Sequence, residues 1–268
     1  MHPIIFQIGS FSLRSYGLMA MFGFLTAWVL MRANRRFAGL SDDQASNLLL
    51  ITMITGLVGA RIFYVCMFFE HYRHNLLRML RIDQGGLVFY GGFILAFFSV
   101  IAYSKRCKLD VVRVLDVFAP AMAGAHAWGR IGCFLNGCCY GAPTTSFLGV
   151  SYPGGSAAAL AHPGMKLHPV QLYETAENLV ACAIFMYLVR KGRRGAALSA
   201  YLVVYGVCRF INEFFRGDNP HWWLLTPAQW IGLGMIPAGI VLGIFFSRKK
   251  PQNGKIPERG RTKNGQAA

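Results

Sequence analysis

Four arginines, a glutamate and three cysteines sit where this chain is otherwise apolar. In "YGVCRFINEFFRGDNP" Tyr205, Arg209, Glu213 and Arg216 follow one another at four, four and three residues, a spacing that lines them on one face of a helix. In "HAWGRIGCFLNGCCYGAP", residues 126 to 143, Arg130 precedes Cys133, Asn136, Cys138 and Cys139; Arg61 lies in "TGLVGARIFYV". An ionised side chain at bilayer depth costs roughly 2.5–3.5 kcal/mol on insertion scales, so each one marks a site or a compensated pair. The blander reading is that Glu213 neutralises Arg209 or Arg216 and clips two helices together, which leaves the other guanidinium groups without a local partner. Asp116, Glu174 and Glu177 are further acids that can absorb part of that charge. Guanidinium in excess of carboxylate points to an anionic guest. Its planar fork suits phosphate, held through two parallel hydrogen bonds, and the abundant phosphate anion of a bilayer is the lipid headgroup.

The chain has seven cysteines. Cys66, Cys107, Cys182 and Cys208 read as small hydrophobes. Cys133, Cys138 and Cys139, with His126, His162 or His168, hold the residue types of a zinc or haem site, but C-x4-C-C is not a regular metal-ligand spacing, so neither metal nor cofactor is expected. A disulfide from Cys138 or Cys139 in an oxidising outer compartment is an alternative. Buried spectator thiols are the favoured reading. Gly129, Gly132, Gly137 and Gly141 permit close helix approach and a helix end lining a cavity, into which Asn136 can point its amide.

The elements that must carry these residues are membrane helices. Of 268 residues 54% are hydrophobic and only 14% charged, a composition that excludes an ordinary soluble domain. Apolar runs near 16–31, 47–69, 87–103, 114–134, 171–189, 196–215 and 227–246 are each about the 20 residues a bilayer crossing needs. The expected fold class is therefore all-α, a polytopic integral membrane protein with about seven transmembrane helices. The net charge of +16 does not call for nucleic acid, because most of the 27 basic residues fall in alternate loops: Arg32 to Arg36, Lys105 to Arg113, Arg190 to Arg194, and from Arg248 onward. The positive-inside rule puts those segments and the C-terminus in the cytoplasm and the N-terminus in the periplasm. No small-residue cleavage site follows the first span, which reads as a retained helix rather than a signal peptide. Residues 1–247 are expected to form a single membrane-embedded domain, and 248–268 a basic, disordered cytoplasmic tail attracted at most to anionic lipid.

"GRIGCFLNGCCYG" resembles the signature box of the bacterial prolipoprotein diacylglyceryl transferases, Gly-Arg-x-Gly-Asn-Phe-x-Asn-x-Glu-x-x-Gly. "RSYGLMAMFGF", "GARIFYV", "GGLVFYGG", "HPVQLYE" and "YGVCRFINEFFR" are similar to family segments in the same order, together spanning most of residues 14 to 230. The resemblance implies transfer of the diacylglyceryl group of phosphatidylglycerol to the lipobox cysteine thiol of a prolipoprotein. That reaction forms a thioether, releases glycerol 1-phosphate, and takes place in the bacterial inner membrane with the active site toward the periplasm. The partners it implies are phosphatidylglycerol, the prolipoprotein signal peptide and the bilayer itself. Residue by residue, Arg130 matches the arginine that binds the lipid phosphate and Arg209 the second essential arginine. Tyr16, Arg61, Asn136, Gly141, Glu213, Arg216 and His168 match positions around the cavity.

Two departures stand out. Where many members carry His-Gly-Gly, with the histidine as proposed base, this chain has Tyr90-Gly91-Gly92. In the box Cys133 replaces asparagine and Cys138 replaces glutamate. A phenol of ordinary pKa near 10 is a poor base, so the proton relay falls to Tyr90 or His168 beside the arginines. Two other readings compete. One is a family paralogue with a different acceptor and a reactive Cys138 or Cys139; the other is a small organic-anion transporter built on the same arginines.

Overall fold

A computed structural model of the chain describes residues 4–8, 11–73, 76–81, 85–217 and 224–248. Two short strands, β1 (Ile4–Ile8) and β2 (Phe11–Arg14), pair antiparallel and lead into α1 (Ser15–Asn34). The chain continues through α2 (Asp42–Met67), the single-turn α3 (Phe69–Tyr72), α4 (Phe89–Arg106) and α5 (Val111–Asn136). A loop follows that holds β3 (Val150–Ser151), the short α6 (Ala157–Ala161) and β4 (Lys166–Leu167). Then come α7 (Val170–Arg190), α8 (Ala196–Asn212) and α9 (Pro227–Arg248).

The seven long helices among the described residues fall on the seven apolar runs. The expected helical, polytopic membrane class holds; beside the helices lie two small antiparallel sheets, β1–β2 and β3–β4. Both lie outside the apolar runs, in segments too short and too broken by Gly and Pro to continue a helix. By length and composition α1, α2, α7, α8 and α9 can each cross a membrane. The 18 residues of α4 extend about 27 Å at 1.5 Å per residue, close to the thickness of a hydrocarbon core. Arg113, Asp116 and Arg130 lower the hydropathy of α5. All of the tail expectation beyond Arg248 lies outside the described residues.

Helix α5 is the hub, packed against α1, α7 and α8, while α2 pairs with α4 and α8 with α9. Its buried residues include Ala119, Ala121, Ala123, Gly124 and Ala127, the small side chains that let membrane helices approach closely. Large apolar residues such as Phe98, Val180 and Val241 instead face outward. That inversion is what a surface solvated by lipid requires.

Helix ends are set by local chemistry. Ser41 and Gln44 form a reciprocal capping box at the start of α2, satisfying two backbone donors that would otherwise lack partners. Asp110 caps α5 by accepting from the Val112 and Arg113 amides at 3.0 and 3.5 Å. It also takes a forked ion pair from Arg194, Nε at 2.6 Å and Nη2 at 3.0 Å, which ties α5 to the α7–α8 connection at the basic end. Asp116, an expected counter-ion for the arginines, serves elsewhere: it accepts from the Gly195 and Leu198 amides at 2.6 and 2.9 Å. A carboxylate there stabilises the positive end of the α8 dipole.

Candidate active site

At the end of the bundle opposite the basic loops, α5, α7 and α8 border a cleft lined by His126, Arg130, Glu174, Tyr205, Arg209 and Asn212 among others. His126 and Arg130 are four apart on α5, Glu174 and Asn178 four apart on α7, and Tyr205 and Arg209 four apart on α8, so each helix turns a polar pair to the same space. Glu174 is the centre. Its carboxylate meets Arg130 Nε through Oε2 and Arg209 Nη1 through Oε1, the latter at 3.4 Å. Glu213 reaches Arg209 Nη2 at 3.0 Å. The side chains are 15% exposed for Arg130, 18% for Arg209, 6% for Glu174 and 1% for Glu213. Glu177 accepts from Asn212 Nδ2 instead of pairing with an arginine.

The expectation of arginines short of acidic neighbours therefore holds only in part, because Glu174 and Glu213 reach them from α7 and from the turn after α8. The pairing is not one to one, however. Glu174 is shared, and both contacts of Arg130, to Glu174 and to His126 Nε2 at 3.1 Å, involve its Nε. Among the described residues the terminal Nη edge of Arg130 has no hydrogen-bond partner. A guanidinium presents five N–H donors in a rigid fork, so Arg130 keeps an edge able to grip a second anion while Glu174 holds its orientation.

Arg130 also borders a second group, at the helix end. Gly137, with φ +70°, ends α5. Its amide donates to Phe134 O and the Cys138 amide to Cys133 O, both at 3.1 Å, the paired bonds of a Schellman turn, which needs the left-handed conformation glycine adopts without strain. The turn lays Cys138 back over Cys133. Cys139 has φ +60° and folds back in turn, bringing its sulfur to 4.0 Å from that of Cys138. All three sulfurs lie within 4.8 Å of one another, and Tyr16, Arg130 and Arg216 stand in their field. Gln171 clamps the turn to α7: its Nε2 donates to Cys138 O at 2.8 Å and its Oε1 accepts from the Tyr152 hydroxyl at 3.1 Å. Burial pushes the Tyr152 phenol up from its ordinary value of 10.0, against the Gln171 hydrogen bond, so it remains a donor.

Around this turn the chain crosses itself. The Gly141 amide donates to His168 O at 2.9 Å, and the Ala142 amide to Phe215 O at 2.8 Å; Gly141 and Arg216 form an antiparallel bridge. A Cβ at Gly141 would lie 2.6 Å from Phe215 O and 2.7 Å from His168 Cβ, so no other residue fits this crossing without displacing backbone.

The structure thus brings Arg130, Arg209 and Glu213 into one ion cluster and gathers Tyr16, Asn136, Gly141 and Arg216 around the adjoining cysteine turn; Asn136 Nδ2 lies 3.5 Å from Cys138 Sγ. Three expected residues stand apart. Arg61 donates to the carbonyls of Arg78, Met79, Gly85 and Gly86 at 2.8 to 3.1 Å and lies under the Tyr64 and Tyr72 rings. Its charge holds the α3–α4 connection. His168 faces Tyr173, with Nδ1 3.2 Å from the hydroxyl, and packs on Phe215; Tyr90, half-exposed at the start of α4, lies in the field of Tyr205. Neither lines the cleft. Glu174, named from the sequence as an acid that can absorb arginine charge, does so; the residues the sequence reading passes over are Asn178, Asn212 and Gln171, whose signal is three- and four-residue spacing of polar side chains along apolar helices.

A family model described as prolipoprotein diacylglyceryl transferase matches residues 3–245. The chain is 33% identical over 247 residues to a protein named phosphatidylglycerol–prolipoprotein diacylglyceryl transferase from Clostridium tetani (strain Massachusetts / E88), covering 91% of this chain and 96% of that one. It is also 33% identical over 247 residues to the protein of the same name from Clostridium botulinum (strain Langeland / NCTC 10281 / Type F), covering 92% and 96%. With a match along nearly its whole length and the buried arginine of the signature box, Arg130, in place, the chain belongs to the prolipoprotein diacylglyceryl transferase family.

Proposed function

We propose that the protein transfers the diacylglyceryl group of phosphatidylglycerol to the lipobox cysteine of a prolipoprotein, at the periplasmic face of a bacterial inner membrane. A sulfur–carbon bond forms as the carbon–oxygen bond of the phosphoester breaks, and its electron pair leaves on the phosphate oxygen of glycerol 1-phosphate. The step needs a clamp for the growing phosphate charge and a dry cavity reached from the lipid side. The observation that carries this reading is the Nη edge of a mostly buried Arg130, without a hydrogen-bond partner among the described residues, beside Arg209 and oriented by Glu174. The same guanidinium field favours an incoming thiolate. Tyr90 and His168, the relay groups suggested by the sequence, would have to act from outside the cleft.

Purified enzyme, phosphatidylglycerol and a prolipoprotein peptide should give a diacylglyceryl mass increment on the peptide, lost in Arg130→Ala and Arg209→Ala. Full transfer by either variant rejects the clamp. An organic-anion transporter would give no covalent product, whereas a paralogue with another acceptor would bind phosphatidylglycerol yet fail to restore lipoprotein modification in transferase-depleted cells.

A further inference from the structure

Cys133 and Cys138 stand where the signature box has asparagine and glutamate, and the Schellman turn joins them to Cys139. Three thiols with all sulfurs within 4.8 Å are close to the edge of a coordination tetrahedron. With zinc–sulfur bonds of about 2.3 Å the sulfurs stand about 3.8 Å apart, against 4.0 Å for Cys138 and Cys139 here. The scaffold is already rigid: the helix end holds Cys133, the turn holds Cys138, and the buried Gln171 fixes the Cys138 carbonyl. Zinc with three thiolates is a monoanion. Arg130 and Arg216, both in the field of Cys139, supply the compensating charge.

We infer that Cys133, Cys138 and Cys139 form a three-thiolate zinc site whose open fourth position takes the acceptor cysteine. Three protein ligands with one exchangeable position is the arrangement of zinc sites that do chemistry rather than only brace a fold. A thiol that coordinates zinc is deprotonated outright. Here the acceptor S–H would displace a bound water and its proton would leave with that water. The metal-bound thiolate then attacks carbon as the phosphate leaves toward Arg130 and Arg209. Such a site takes over the deprotonation for which neither Tyr90 nor His168 lines the cleft. This inference rests on the proposed transfer to a cysteine thiol.

The test uses full-length protein purified without a polyhistidine tag, in detergent with a phosphine reductant. Loading with Co(II) and passage over chelating resin should leave a thiolate-to-cobalt charge-transfer band, removed by added Zn(II). The band should be lost in each of Cys133→Ser, Cys138→Ser and Cys139→Ser and kept in Cys107→Ser and Cys182→Ser. On the unmutated chain Zn(II) should shield those three thiols from alkylation and leave the exposed Cys66 reactive. A lipobox peptide should shift the cobalt band, and its Cys→Ser counterpart should not. No band in the unmutated chain, a band that survives all three substitutions, or no response to the peptide thiol overturns the inference. Mass spectrometry of the same peptide scores transfer separately. Product without a metal band sinks the zinc site alone, whereas a band and thiol shift without product sink the transferase reading alone.

Discussion

Arg130 shows how one side chain serves two neighbours. Its Nε edge is committed to Glu174 and His126, and its opposite edge, without a hydrogen-bond partner among the described residues, is the one that grips an oxyanion in the proposed reaction. Lysine would keep the charge but offer a compact ammonium in place of a planar fork. Losing one charge-assisted hydrogen bond costs about 1.5–3 kcal/mol, so Arg130→Lys is expected to lower kcat/KM for the phospholipid donor roughly 10- to 100-fold. Steady-state kinetics with a fixed acceptor peptide measures this, and an undiminished lysine variant would mean that charge alone suffices. At this scale the sequence is a good guide to which residues are unusual, since a guanidinium among apolar neighbours is conspicuous wherever it sits. It is a poor guide to their partners. Arg61 and Arg130 look alike in the chain, yet one is surrounded by loop carbonyls and the other opens into a cleft.

Between helices, the basic end is held by Asp110, which caps α5 and binds Arg194 across the α7–α8 connection. Burial works to raise its carboxyl, but the Arg194 hydrogen bond and charge, with the Val112 and Arg113 amides, outweigh it and hold the group below its ordinary 3.8. A depressed folded-state pKa means the folded form binds the proton less readily than the unfolded form. The stabilisation is therefore complete above pH 3.8 and lost as pH falls through the lower folded value. Asp110→Asn keeps a capping oxygen and removes only the charge. Its melting temperature should fall below that of the unmutated protein at neutral pH, with the gap closing in acid. A gap that persists at low pH would assign the effect to lost geometry. Helix positions were legible from hydropathy, and the α5 terminus from Gly137, because both are local properties. The strands escaped notice because they are only two to five residues long.

Across the whole molecule, the two ends differ in kind. One carries Arg32, Arg35, Arg106, Arg113 and Arg194; the other carries the cleft, the cysteine turn and the α5–α7 loop. By the positive-inside rule the first is expected to face the cytoplasm. In spheroplasts a protease site placed at Phe147, which is 92% exposed, should be cut from outside, and one at Gly192 should be protected; cleavage confined to Gly192 would reverse the orientation and move the cleft to the cytoplasmic face. The sequence by itself determined the seven apolar helices, the basic ends and the arginines set among apolar residues, because hydropathy, charge and spacing add up along the chain. Only the tertiary structure decided that Glu174 joins Arg130 to Arg209, that Asp116 caps α8, that Arg61 holds a loop, and that three thiols of irregular spacing meet. Those pairings bridge residues up to some 80 positions apart or depend on a turn doubling back, and only helix packing and turn geometry set such distances.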